Sequence, residues 1–272
     1  MVEMAERIDL FDSTYGHFTD SVLEVVRKET FGVDIGQNSW VTVDEYERFI
    51  DWLGLASDHH AIEVACGSGG PALFLARTTG CRVTGIDANE SGVATASEMA
   101  ARSGHGAQLR FTVADANARL PFDDDHFDAL LCIDSMNHFP DRLAVFREWH
   151  RVLRPGGRAV FTDPVVVTGP ITNDELAIRS SIGLFLFVPP GINEGFIEQA
   201  GLRLVRQEDV TGNASRIAGR WHAAREKHRE ELLPIEGEPR FVGLQRFFDA
   251  VHRLTSEHRL SRIVYLVEKR AD

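Results

Sequence analysis

From about residue 60 onward, short apolar runs rich in β-branched residues alternate with helical stretches, so that residues 61–66, 82–86, 109–114, 129–133 and 158–162 read as five successive strands. Two more apolar runs, 202–207 and 262–268, complete the set. A strand that passes through a helix before the next strand begins returns parallel to the first. The expected fold class is therefore α/β, a doubly wound, mainly parallel seven-stranded sheet with helices on both faces. Between the fourth and fifth runs, Leu143, Phe146, His150 and Leu153 recur at spacings of three and four, which is one face of a helix, and Arg154-Pro155-Gly156-Gly157 stops it.

The alternation is interrupted twice. The first insertion, at about 166–193, holds Pro170, Pro189, Pro190 and the apolar segment Ile182-Gly183-Leu184-Phe185-Leu186-Phe187-Val188. The second, at about 212–258, is charged and helical in composition. Residues 1–57 read as an N-terminal helical cap, and 58–272 as the sheet-bearing domain that carries both insertions.

A hydrophobic fraction of 43% with 26% charged residues is that of a globular chain. The net charge of −12 repels a phosphate backbone, so nucleic acid is not an expected partner. The three cysteines, Cys66, Cys81 and Cys132, lack metal-ligand or redox spacing and sit in apolar strands, so no metal site is expected. The acidic start, Met1-Val2-Glu3-Met4-Ala5-Glu6, is no secretory signal. No apolar stretch approaches the ~18 residues that span a bilayer. These features predict a cytoplasmic protein with a small-molecule substrate and no membrane partner; the oligomeric state stays open, a homodimer among the alternatives.

The first strand runs into Glu63-Val64-Ala65-Cys66-Gly67-Ser68-Gly69-Gly70-Pro71-Ala72, a glycine-rich turn opening a helix. Taken alone, Gly67, Gly69 and Ala72 also fit a dinucleotide fingerprint, with Asp87 near the ribose distance. Glu63 decides against that ligand, because its carboxylate lies close to where a doubly charged pyrophosphate would sit. A ligand carrying an ammonium and a sulfonium gains from the same charge.

Glu63 through Gly69 resembles the first motif of the class I S-adenosylmethionine-dependent methyltransferases. The resemblance extends to Asp87 ending Val83-Thr84-Gly85-Ile86-Asp87, Asp115 ending Phe111-Thr112-Val113-Ala114-Asp115, Leu120-Pro121-Phe122, and Leu153-Arg154-Pro155-Gly156-Gly157. It implies a Rossmann-like fold, S-adenosyl-L-methionine as cofactor, Asp87 on the ribose hydroxyls and Asp115 with Ala116 on the adenine. Glu63, Ala65, Gly67, Gly69, Ala88 and Ile133 complete the implied cofactor set, and Tyr15 and Gln37 join it from the cap.

Ligands of open α/β sheets lie beyond the carboxyl ends of the strands, which puts Asp134-Ser135-Met136-Asn137-His138 and Thr162-Asp163-Pro164 beside the transferred methyl group. His138 is the expected catalytic group, as general base or as orienting group, with Asp163 bonding its other ring nitrogen. Such a pair is similar to that of sugar and natural-product O-methyltransferases. The same segments also resemble sarcosine and dimethylglycine N-methyltransferases, so N-methylation of a small amine stays open, as does C-methylation. Trp40, Asn137, Phe185 and Phe187 are the expected substrate contacts. An NAD-dependent oxidoreductase and a non-catalytic cofactor-binding protein are the more distant alternatives.

Overall fold

The computed structural model describes residues 20–271 together with Tyr15 and Phe18. Seven strands, β1 (His60–Val64), β2 (Arg82–Asp87), β3 (Leu109–Val113), β4 (Phe127–Cys132), β5 (Leu153–Val167), β6 (Leu202–Asp209) and β7 (Leu260–Lys269), form one sheet in the order β3-β2-β1-β4-β5-β7-β6. The first five are mutually parallel, and β7 runs antiparallel between β5 and β6. This is the expected α/β doubly wound sheet.

Helices α1 (Ser21–Phe31) and α2 (Val43–Leu53) precede β1. α3 (Gly70–Thr79), α4 (Glu90–Ser103) and α5 (Arg142–Val152) connect the parallel strands. α6 (Asn173–Arg179) and α7 (Ile192–Gln199) lie between β5 and β6, while α8 (Thr211–Lys227), α9 (Arg229–Glu236) and α10 (Glu238–Ser256) lie between β6 and β7. Among the described residues, no helix is long and apolar enough to cross a membrane.

The two-residue period of the strands splits the core. Ile62, Val64, Leu130, Phe161 and Tyr265 point to the face covered by α5 and α7, where Phe146, Trp149 and Ile197 meet them. Ala61, Val83, Leu131, Val160 and Val264 point to the other face, against Tyr46, Phe49 and Ile50 of α2 and Ala72 and Leu75 of α3. A third cluster lies away from the sheet: Val22, Val26, Trp40, Ile182, Trp221, Phe241, Phe247 and Phe248 pack α1, α8 and α10 together. The stacked rings of Trp221 and Phe248, 4.7 Å apart, lie within it.

Strand β5 is longer than its apolar run predicted. It pairs with β4 from Leu153, and beyond Thr162 it continues to Val167 along β7, with a register shift between Asp163 and Val166. Pro164 sits at that shift, where its missing N–H would break a regular ladder.

Candidate active site

A cavity of about 470 Å³ lies beyond the carboxyl ends of β1, β2 and β4, under residues 38–40, residues 182–185 and helices α8 and α10. That volume suits a cofactor-sized ligand. The floor is the glycine turn. Ala65 adopts φ 57°, a costly left-handed conformation for a residue with a Cβ, and so turns the chain sharply out of β1. Gly67 is also left-handed, and a Cβ there would come within 2.8 Å of the Tyr15 hydroxyl. Asp87 fixes the turn from β2, its Oδ2 accepting from Gly67 N–H and its Oδ1 from Asn89 N–H, both at 2.8 Å.

The expected residues Tyr15, Trp40, Glu63, Ala65, Gly67 and Asp87 line this cavity. So do Ala88, Asp115, Ala116, Ile133, Asn137, His138 and Phe185. Four do not. Gly69 serves packing: a Cβ there would fall 2.6 Å from Ala96 Cβ and 2.9 Å from Phe111. Gln37 is fully buried in its own loop, accepting from Ile35 N–H at 2.8 Å and donating to the Val33 carbonyl at 3.3 Å, so its amide is already used. Phe187 lies outside the lining, although its ring centroid is 6.2 Å from that of Phe185.

Asp163 is the fourth, and the expected pairing with His138 is corrected. Asp163 is fully buried, its Oδ2 accepting from Arg142 Nη1 and, at 2.8 Å, from Asn193 Nδ2. A buried carboxylate takes the strongest available cation, and Arg142, itself buried in the first turn of α5, supplies it. The imidazole has a different partner. His138 Nδ1 lies 2.9 Å from the Leu184 carbonyl, and because a carbonyl only accepts, Nδ1 carries a proton and, in the neutral ring, Nε2 is the acceptor. Arg142 Nη2 donates to the Leu186 carbonyl and Leu186 N–H to the Asn137 carbonyl, both at 2.8 Å, so the 184–186 strap ties the Arg142–Asp163 pair to the His138 turn.

Asp134 also faces the cavity but is consumed by structure. It accepts from Trp40 N–H, Thr162 Oγ1 and Arg262 Nε at 2.8, 2.8 and 2.6 Å, while Arg262 Nη1 reaches Glu45 of α2 at 2.7 Å. This buried junction fixes the cap segment against the end of β4.

Two polar groups are left over. Glu63 is 3% exposed and its Oε2 has no hydrogen-bond partner. Burial pushes its carboxyl up to about 8, with the Asp87 charge adding and the Tyr46 hydroxyl opposing. Asn137 is 1% exposed, and neither end of its amide has a partner. Among the described residues, Glu63, Asp87, Asp115 and Asp134 give this lining four carboxylates against one Lys or Arg, Arg179. An acidic turn with an orphaned carboxylate oxygen fits a ligand bearing an ammonium, and it does not fit a pyrophosphate.

Ser135, in the segment expected beside the methyl group, and Asn38 of the cap also line the cavity; sequence reasoning missed Arg179, Trp221, Phe247 and Phe248, which line it too. The adjacent pair Phe247-Phe248 within a charged helical insertion, and a lone cation just before the apolar 182–188 run, were the available signals.

A family model described as a methyltransferase domain matches residues 62–161. The chain is 31% identical over 208 residues to the 27-O-demethylrifamycin SV methyltransferase of Amycolatopsis mediterranei, covering 74% of this chain and 75% of that one. It is 36% identical over 171 residues to the methyltransferase GfsG of Streptomyces halstedii, where the match spans 61% of this chain and only 60% of the relative's length. Among solved structures, a protein from Galdieria sulphuraria described as a candidate sarcosine dimethylglycine methyltransferase superposes with a TM-score of 0.75 at 20% identity, over 84% of this chain and 87% of that one, a likeness of fold alone. With the sheet, the acidic glycine turn and these matches in place, the chain belongs to the class I S-adenosylmethionine-dependent methyltransferases.

Proposed function

We propose that the protein transfers a methyl group from S-adenosylmethionine to a hydroxyl of a small molecule. When bound, S-adenosylmethionine supplies an electrophilic methyl on a sulfonium. Glu63 receives the ammonium, Asp87 the ribose hydroxyls and Asp115 the adenine amine, with Tyr15 and Gly67 closing against one another at the methionine end. Trp40, Phe185 and the aromatic side chains of α8 and α10 exclude water from the other end. One observation carries the choice of oxygen: with the proton of His138 held on Nδ1 by the Leu184 carbonyl, Nε2 is the nitrogen of the neutral ring able to take a proton from an acceptor hydroxyl beside the unpartnered Asn137 amide. Asn137 orients that hydroxyl, and the enzyme's remaining contribution is proximity.

The direct test is calorimetric titration with S-adenosylmethionine and with NAD, followed by product mass analysis on a metabolite library for the gain of one methylene. Tight NAD binding without S-adenosylmethionine binding would overturn the reading. Asp87→Ala is expected to weaken S-adenosylmethionine by about 1.5–3 kcal/mol, because two hydroxyls lose a charged acceptor. Unchanged affinity in a folded variant would remove Asp87 from the ribose.

Glu63 gives a test with two opposite signs. Its folded value of about 8 lies above the ordinary 4.5, so between those limits the ligand-free folded state holds more protons than the unfolded chain and stability falls as pH rises. Glu63→Gln removes that fall, and at pH 8 the ligand-free variant is expected to melt higher than the parent. The same variant is expected to bind S-adenosylmethionine more weakly. At pH 7 the arriving ammonium displaces the Glu63 proton, so the binding enthalpy should depend on the ionisation heat of the buffer in the parent and not in the variant. A variant that loses both stability and affinity, or keeps the buffer dependence, contradicts the assignment.

A further inference from the structure

Five arginines are buried among the described residues: Arg27, Arg142, Arg179, Arg225 and Arg262. Four are held by carboxylates, Arg27 by Asp34, Arg142 by Asp163, Arg225 by Glu236, and Arg262 by Asp134 and Glu45. Arg179 is 2% exposed, and among the described residues it makes no hydrogen bond or ion pair; its Nη1 is an orphan donor. Three rings surround the guanidinium carbon, Phe185 at 4.7 Å, Phe247 at 5.1 Å and Trp40 at 6.0 Å. Stacked rings offset part of the cost of burying the charge, but they accept no N–H hydrogen bond. The residue lies at the end of α6 and lines the same cavity as His138 and Asn137.

We propose that Arg179 is the anchor for a carboxylate on the methyl acceptor, so that the substrate is an apolar carboxylic acid whose body lies along Phe185, Phe247, Phe248 and Trp221. That the anchored molecule is the methyl acceptor rests on the methyl-transfer reading; the carboxylate site does not. Rings packed on the guanidinium leave its edge for an in-plane fork, the geometry that matches a planar carboxylate. Charge selects a monoanion. Among the described residues Arg179 is the lone Lys or Arg in a lining with four carboxylates, so a phosphate dianion would bring one charge more than the site can compensate. Burial pushes the guanidinium down to about 9 against the pull of Asp134 and Asp163, the direction expected where a charge awaits its partner.

The test is a thermal-shift titration at pH 7 and constant ionic strength, on the whole chain saturated with S-adenosylhomocysteine. The probes are acetate, benzoate and 3-phenylpropanoate, each against its neutral amide. Carboxylates are expected to raise the melting temperature and amides not to, with 3-phenylpropanoate half-saturating at least about tenfold below its amide. R179M is expected to abolish that preference and R179K to retain part of it. Ligand-free R179M is expected to melt no lower than the parent, since it loses an uncompensated buried charge. Acids and amides indistinguishable in the parent, a preference that survives in R179M, or a tenfold preference for phenylphosphonate over 3-phenylpropanoate each overturn the proposal. So does an acid preference seen without S-adenosylhomocysteine and lost on its saturation, because the cofactor's own carboxylate would then occupy Arg179. Should R179M not fold, the parent's acid and amide pairs decide. Failure of S-adenosylhomocysteine to bind at all sinks the methyltransferase reading separately.

Discussion

Asp163→Ala is expected to lower the unfolding free energy by about 3–5 kcal/mol, the cost of leaving a buried charge without its partner. Asp163 is fully buried, Arg142 is 3% exposed, and the remaining groups on the Arg142 guanidinium, Asn193 Oδ1 at 2.7 Å and the Leu186 carbonyl at 2.8 Å, are neutral. They cannot balance the cation. The loss should appear as a lower denaturant midpoint with an unchanged slope. Replacing both partners with apolar residues of similar volume, Arg142→Met with Asp163→Leu, should recover most of it, because the penalty belongs to the unpaired charge. A single-variant loss under about 1 kcal/mol would mean that water or another group reaches Arg142 in solution. Activity falls with stability here, since the released Arg142 no longer holds the strap whose Leu184 carbonyl orients His138. Asp163 reaches His138 only through Arg142 and the 184–186 strap.

His138→Ala is expected to slow methyl transfer by about a hundredfold to ten-thousandfold if the acceptor is a hydroxyl, the usual range for loss of a general base. Its effect on S-adenosylhomocysteine affinity should be small by comparison, so the change is read in the single-turnover rate at saturating cofactor. An amine that arrives already deprotonated needs no base, and the same variant should then lose only about tenfold through misplacement. Measured across pH, a lost base also removes an ionisation from the parent's rate profile. A rate within a factor of about two of the parent would exclude His138 from the chemistry.

The parallel half of the sheet and its glycine turn were legible because both depend on local patterns. β-branched runs of five or six residues report strands, and Glu63 four places before Gly67 reports the ligand's charge. What sequence missed depends on competition between distant groups. In sequence, His138 and Asp163 each follow an apolar run that reads as one of two adjacent strands, which made a pair plausible, but β5 runs on through Asp163, and Arg142 is the cation that bonds it. Gln37 looked like a cap contact and is instead spent on its own loop's backbone. Arg179 was invisible for a related reason: an arginine declares itself as a receptor only when the carboxylates that occupy its buried neighbours have been counted.

Helices α8, α9 and α10 enter and leave the sheet between strands that are already hydrogen-bonded to each other, Asp209 standing opposite Ile263. The two ends of this long excursion are thus pinned side by side whatever lies between them. Its length enters the free energy of the fold only through loop closure, about 0.6 kcal/mol for each doubling. The part of the cavity wall that this segment supplies, Trp221, Phe247 and Phe248, can therefore be rewritten by exchanging one continuous stretch of chain, while the glycine turn, Asp87 and Asp115 stay untouched. A scaffold wired this way can trade one wall of its cavity in a single genetic step, and grafting that segment between relatives is a natural route to altered specificity.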